Sequence, residues 1–159
     1  MKFRNAEAAD LKKILKLYAD VSRSDFSVWD EDYPGTQEID HDFETDNIFV
    51  LIEDDRLTGA ISIVPENEMD MVKCWTVNAP DACEIARVAV APEAQGRGLA
   101  LIMVNYLTQV IIQRGYKSIH LAAAVCNIPA VRTYQKAGFE KVAEEDMFGH
   151  HYYLFEKII

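Results

Sequence analysis

Pro92-Glu93-Ala94-Gln95-Gly96-Arg97-Gly98-Leu99-Ala100 stands between a strand-like and a helix-like segment. Cys83 to Ala91, just before it, is rich in small and branched residues and is ended by Pro92. Gly98 to Arg114, just after it, reads as a helix, with Gly115 where a C-terminal cap belongs. Glycines in a strand-to-helix turn let successive N–H groups face one point. The helix adds unpaired donors and the positive end of its dipole. Such a turn suits an anion, and a diphosphate in particular. Arg97 would add charge at its rim. The bland alternative is a tight turn that holds nothing.

Two phosphate-binding patterns fail on specific residues. A nucleotide P-loop needs Gly-Lys-Ser/Thr, whereas Gly98 is followed by Leu99 and Ala100. The dinucleotide fingerprint needs a third glycine where Leu101 stands, and no acidic residue follows at the ribose position.

Working outward, residues 2–5 read as a short strand, and Leu11, Ile14, Leu15 and Tyr18 line one helix face. Asp20 to Gly35 reads as a loop and Thr36 to Asp46 as an acidic helix. Asn47 to Glu53 and Leu57 to Pro65 form a hairpin around Asp54-Asp55-Arg56. Asn67 to Pro80 is ambiguous, although Val72 to Val77 has strand composition. Lys117 to Val125 is a strand, Ile128 to Ala137 a helix closed by Gly138, and Phe139 to Glu145 and Tyr152 to Ile158 are strands around a turn at Phe148 to His151. This order predicts a mixed α/β domain over residues 1–159, with a β-α-β crossover in its middle.

Composition narrows the function classes. A net charge of -10 disfavours nucleic acid as a partner. It suits a cationic acceptor, or simply solubility. No apolar run is long enough for a membrane span, and the N-terminus lacks a secretory pattern. Three cysteines, Cys74, Cys83 and Cys126, without CxxC spacing argue against a disulfide framework or a zinc site, and for a cytoplasmic location.

Gln95-x-x-Gly98-x-Ala100 resembles the acyl-CoA loop of the GNAT superfamily of N-acetyltransferases. The strand Ile85 to Pro92 resembles that family's strand. Asn127-x-x-Ala130-x-x-x-Tyr134-x-Lys136-x-Gly138-Phe139 resembles its downstream segment. The close match spans about residues 84–142. The resemblance implies a mostly antiparallel sheet with two splayed parallel strands, flanked by helices, that uses acetyl-CoA and no metal. It implies cofactor contacts from Val88, Ala89 and Val90, from Gln95, Gly96, Arg97, Gly98, Leu99 and Ala100, and from Asn127. Asn127 equally fits a helix N-cap. Many such proteins form homodimers, yet no stripe in this chain marks an interface.

The implied reaction is attack of a primary amine, on a small molecule or a basic peptide, at a thioester carbon. Tyr134 is the expected acid for the departing thiol. Glu84, eleven residues before Gln95, is the candidate base, alone or through water. A solvated strand-end glutamate is its plain alternative. A backbone N–H on the strand around Val88 and Ala89 would polarise the carbonyl. Cys126 lies close to the centre but has no partner set for covalent catalysis. His150 and His151 fit a surface turn. Phe26 to Tyr33 offers acidic and aromatic residues, among them Trp29, either to an acceptor pocket or to the core. A non-catalytic acyl-CoA sensor, or an interaction module on the same fold, is the alternative function. Intact Tyr134 and Asn127 count against the sensor, and the glycine loop against an interaction module.

Overall fold

The computed structural model describes all residues from Met1 to Ile159. Its seven strands are β1 (Lys2–Asn5), β2 (Ile48–Glu53), β3 (Arg56–Val64), β4 (Ala82–Val90), β5 (Ser118–Ala124), β6 (Glu140–Met147) and β7 (His150–Ile158). Its four α-helices are α1 (Leu11–Ser22), α2 (Thr36–Glu44), α3 (Leu99–Gln113) and α4 (Ile128–Lys136). All strands join one sheet in the order β1-β2-β3-β4-β5-β7-β6. Every pair is antiparallel except β4 and β5, which α3 connects as a crossover.

Two tight turns set the register at either end of the sheet. Asp54 and Asp55 take φ of 46° and 62°, and Phe148 and Gly149 take 52° and 79°. Left-handed pairs of this kind match the twist of the strands that they join.

The helices cover both faces. Gly59 of β3 lies under α3, and a Cβ there would stand 2.7 Å from Met103 Sδ. Ser62 of the same strand neighbours Tyr18 of α1. Odd and even positions of a strand face opposite sides, so α1 and α3 sandwich β3 between them. α2 also packs on β2 and β3, and α4 on β5 and α3. The main core runs through Ile14, Leu51, Ile61, Ile63, Met103, Leu107 and Phe155, all essentially without exposure. No helix is long and apolar enough to cross a membrane.

Two sequence expectations need correction. Val72 to Val77 forms no strand: it is loop, and a short 3-10 turn at Glu68–Met71 precedes it. Trp75 is buried there, packed with Met69 and Leu154 and donating its indole N–H to the Met69 carbonyl at 2.9 Å. Branched and aromatic residues thus serve a covering loop rather than a ladder. His150 and His151 belong to β7 rather than to a turn, because Phe148 and Gly149 complete the reversal alone. His151 lies between the carboxylates of Asp146 (2.7 Å) and Glu144 (3.0 Å) on the neighbouring strand, which hold its imidazole above the ordinary value.

Candidate active site

The parallel pairing of β4 and β5 is short. It joins Ala82 to Ser118, Cys83 to Ile119 and Glu84 to His120, and then stops. From Ile85 to Val90, β4 has no ladder partner on that edge, and β5 continues to Ala124. The two strands splay, and the gap opens at Glu84 and His120.

The glycine loop stands where β4 ends. Gly96 and Gly98 have φ of 77° and 76°, with open space where a Cβ would be. These conformations suit glycine, and they keep the backbone accessible. The amides of Gly96, Arg97, Gly98, Leu99 and Ala100 donate to no protein acceptor, and the first bond of α3 runs from Ile102 to the Gly98 carbonyl. Gln95 braces the turn by donating from Nε2 to the Val90 carbonyl at 3.0 Å. Arg97 has a partner within the chain. Its guanidinium forks onto Glu53 at the end of β2, at 3.1 and 2.9 Å, because that carboxylate is the charge within reach. Val88 is half-buried, and Ala89 and Val90 are buried.

Across the gap, Asn127 caps α4 by accepting from Ala130 N–H at 3.3 Å. Its side-chain amide group donates to no other residue, so the cap leaves those donors free. Tyr134 follows on α4, with its ring among Phe139 and Phe155. Burial, and secondly the nearby Glu84 carboxylate, push its phenol well above the ordinary range. Glu84 is pushed up to about 8, chiefly by burial. Arg87 pulls it down, while Asp70, Glu68 and Asp42 push it further up. The two sequence-nominated proton carriers therefore sense one another across the gap, and neither has a hydrogen-bond partner that would occupy it.

Cys126 is exposed beside the Phe26 carbonyl, with its Sγ at 4.0 Å from that oxygen. Cys83 is buried and its thiol is pushed up to about 12, an inert environment. Trp29 packs edge-on against Tyr18 at 5.5 Å and serves the core, whereas Phe26 and Tyr33 are exposed.

Two groups carried no assigned role in the sequence. His120 stacks on Trp75 at 3.8 Å, and its Nε2 faces the Val77 carbonyl (2.9 Å) and Glu156 Oε2 (3.2 Å). Both partners accept, so that nitrogen carries the proton. Burial holds the imidazole below its ordinary value despite Glu156. Glu156 also accepts from Thr76 and Val77 N–H and from the Ser118 hydroxyl. Burial works to raise its carboxyl, and these donors together hold it low. The second group is Arg87, which grips Asp42 and Tyr33. A basic residue in a mostly apolar strand was the available signal for it.

Residues 12–139 match the sequence model of the acetyltransferase (GNAT) family. The chain belongs to this family. An uncharacterized N-acetyltransferase of Schizosaccharomyces pombe is 36% identical over 61 residues, which is 38% of this chain and 37% of that protein. The chain thus spans little more than a third of that curated relative. Among solved structures, the ribosomal-protein-alanine N-acetyltransferase of Brucella melitensis superposes with a TM-score of 0.80 at 19% identity over 100% of both chains. A Salmonella typhimurium protein solved with its cofactor acetyl-CoA gives 0.78 at 20% identity, over 99% of this chain and 93% of that one. At these identities the likeness concerns the GNAT fold: a mixed sheet opened between two parallel strands.

Proposed function

We propose that residues 1–159 work as one domain that moves an acetyl group from acetyl-CoA to a primary amine, by direct attack while both substrates are bound. The observation that carries the reading is the row of unpartnered amides from Gly96 to Ala100 at the mouth of the β4–β5 gap. These donors, with the positive end of α3, fit the cofactor's pyrophosphate. The open edge of β4 around Val88 to Val90 fits the peptide-like pantetheine arm, and Asn127, at the start of α4 just past β5, has a free amide group to hold that arm from the other side. Arg97 contributes through its backbone, its side chain being held by Glu53.

Acetyl-CoA supplies a thioester whose carbonyl accepts the amine and whose thiolate departs. Glu84 takes the proton of the attacking amine, a role that suits a carboxyl poised near neutrality. Tyr134 stays protonated throughout the working range and donates to the leaving sulfur. The two are linked: when Glu84 gains its proton, the charge that makes Tyr134 a weaker acid is removed. A backbone N–H at the Val88 bend stabilises the oxyanion. The acceptor is a small amine or a basic peptide, in keeping with the acidic groups Glu68, Asp70 and Glu84 on that side. The free thiols support a reducing, cytoplasmic setting.

Calorimetry with acetyl-CoA on the parent and on Gly98→Asp, followed by a thiol-release screen over amines and basic peptides, tests this. A Cβ at Gly98 meets nothing within 4 Å, and the left-handed φ of 76° costs a non-glycine residue about 1–2 kcal/mol. Circular dichroism therefore first checks that the variant folds, before its negative charge is read against the pyrophosphate. Binding lost only in the variant, with thiol released by some acceptor, is expected. Binding without release from any acceptor would favour a sensor, and no binding would refute the loop assignment.

A further inference from the structure

Arg87 has φ of 52°, a left-handed conformation that a long side chain keeps only where its surroundings hold it. The ladder shows what the conformation does. Ala60 pairs with Ala89 and Ser62 with Ala86, so Arg87 and Val88 together oppose Ile61. This is a β-bulge, a device that re-aims backbone and side chains. It lies on the stretch of β4 that β5 has left, three residues beyond Glu84.

The Arg87 side chain accounts for the hold. Its Nε and Nη2 donate to the two carboxylate oxygens of Asp42 at 2.9 Å each, and Nη1 donates to the Tyr33 hydroxyl at 3.3 Å. The side chains are 11% and 2% exposed, for Arg87 and Asp42 respectively. A buried ion pair is poor evidence for stability, since desolvating both charges offsets their attraction; fixing one geometry is its better-attested use. Asp42 belongs to α2 and Tyr33 to the loop before it, so one guanidinium ties the bulge to two elements beside the gap.

We propose that the Arg87–Asp42 pair is a positioning device for acyl transfer. It sets the β4 bulge that presents a backbone N–H to the thioester carbonyl, and through Tyr33 it seats the 24–35 loop on the acceptor side. The inference rests on the acetyl-transfer reading. Both are positioning residues that act through Val88 and Tyr33, and their opposite charges bear on the Glu84 carboxyl in opposite directions.

The test uses the double variant Asp42→Leu/Arg87→Met, which removes both charges together and leaves no unpaired ion in the interior. Arg87→Lys accompanies it, keeping the charge without the fork. Acetyl-CoA affinity is measured by calorimetry, turnover by thiol release, and carbonyl polarisation by the 13C resonance of bound acetyl-CoA labelled at that carbon. Both variants are expected to keep acetyl-CoA affinity within about threefold and to lose turnover by about 100-fold, as displaced reacting groups do. The bound carbonyl resonance should move toward its position in free acetyl-CoA. A folded double variant with parental turnover overturns the proposal. So does a parallel fall in affinity, turnover and melting temperature, which describes a purely structural pair. If the parent itself releases no thiol with any amine, the acetyl-transfer reading fails, and the resonance decides the clamp. An equal shift in parent and variant overturns it, and a difference supports it.

Discussion

Replacing Glu84 by Gln should stabilise the protein at alkaline pH while removing its pH-dependent turnover. The carboxyl rises from an ordinary 4.5 to about 8 in the folded chain, chiefly through burial. A raised carboxyl favours folding in its neutral form. Its contribution is complete below the unfolded value and is lost as pH climbs through about 8. At roughly 1.4 kcal/mol for each pH unit of that interval, the ceiling is about 5 kcal/mol. Glu84 is only half-buried at the mouth of an open gap, and solvent there lowers the figure to about 2 kcal/mol. Glutamine keeps the shape and never ionises. It should therefore raise the melting temperature by about 4–8 °C near pH 9 and leave it almost unchanged near pH 5. Urea unfolding of both proteins across that range reads the effect directly. In thiol-release assays, the ascending limb near 8 should vanish, leaving only the ionisation of the acceptor amine. Parallel stability curves for variant and parent would refute the argument, because Glu84 would then titrate alike in both states.

Tyr134→Phe should lower turnover by about 100-fold or more with acetyl-CoA affinity intact. Its hydroxyl has no protein partner, so stability should shift by less than about 0.5 kcal/mol; a parental rate would remove Tyr134 as the acid. Glu156→Gln should cost about 2–3 kcal/mol at neutral pH, because the carboxylate collects N–H and O–H donors from Thr76, Val77 and Ser118. Its lowered carboxyl stabilises the fold above the ordinary value and ceases to do so as pH falls through the folded one, so the difference from the parent should close in acid. Trp75 fluorescence and proteolysis within residues 67–80 would report the loosened loop, and an unchanged cleavage pattern would count against it. Cys126→Ser should keep the parental rate, since the thiol has only the Phe26 carbonyl beside it; a strong loss would reopen covalent catalysis.

The sequence was informative where local chemistry has one answer. Gly96 and Gly98 between a small-residue strand and an apolar helix imply a backbone turn with spare donors, whatever surrounds it. Gly115 and Gly138, both at φ of 87°, closed the helices where their positions indicated. The hairpin of β2 and β3 and the crossover through α3 followed from period and punctuation. The 67–80 stretch misled, because Val72 to Val77 has strand composition yet takes no place in the sheet. Its branched and aromatic residues instead satisfy the apolar side of a loop over Leu154.

By itself, then, the sequence determined the fold, the family and the loop that offers its amides, because propensity, glycine conformation and helix polarity act within a few residues. Only the tertiary structure decided that β4 and β5 part after Glu84. It likewise brought Tyr134 and Glu84 within electrostatic reach, gave Arg97 to Glu53 and bound Arg87 to Asp42. Those residues lie some 44 to 50 positions apart along the chain. Burial and charge pairing at such separations depend on how the sheet and helices close around them, which no local pattern encodes.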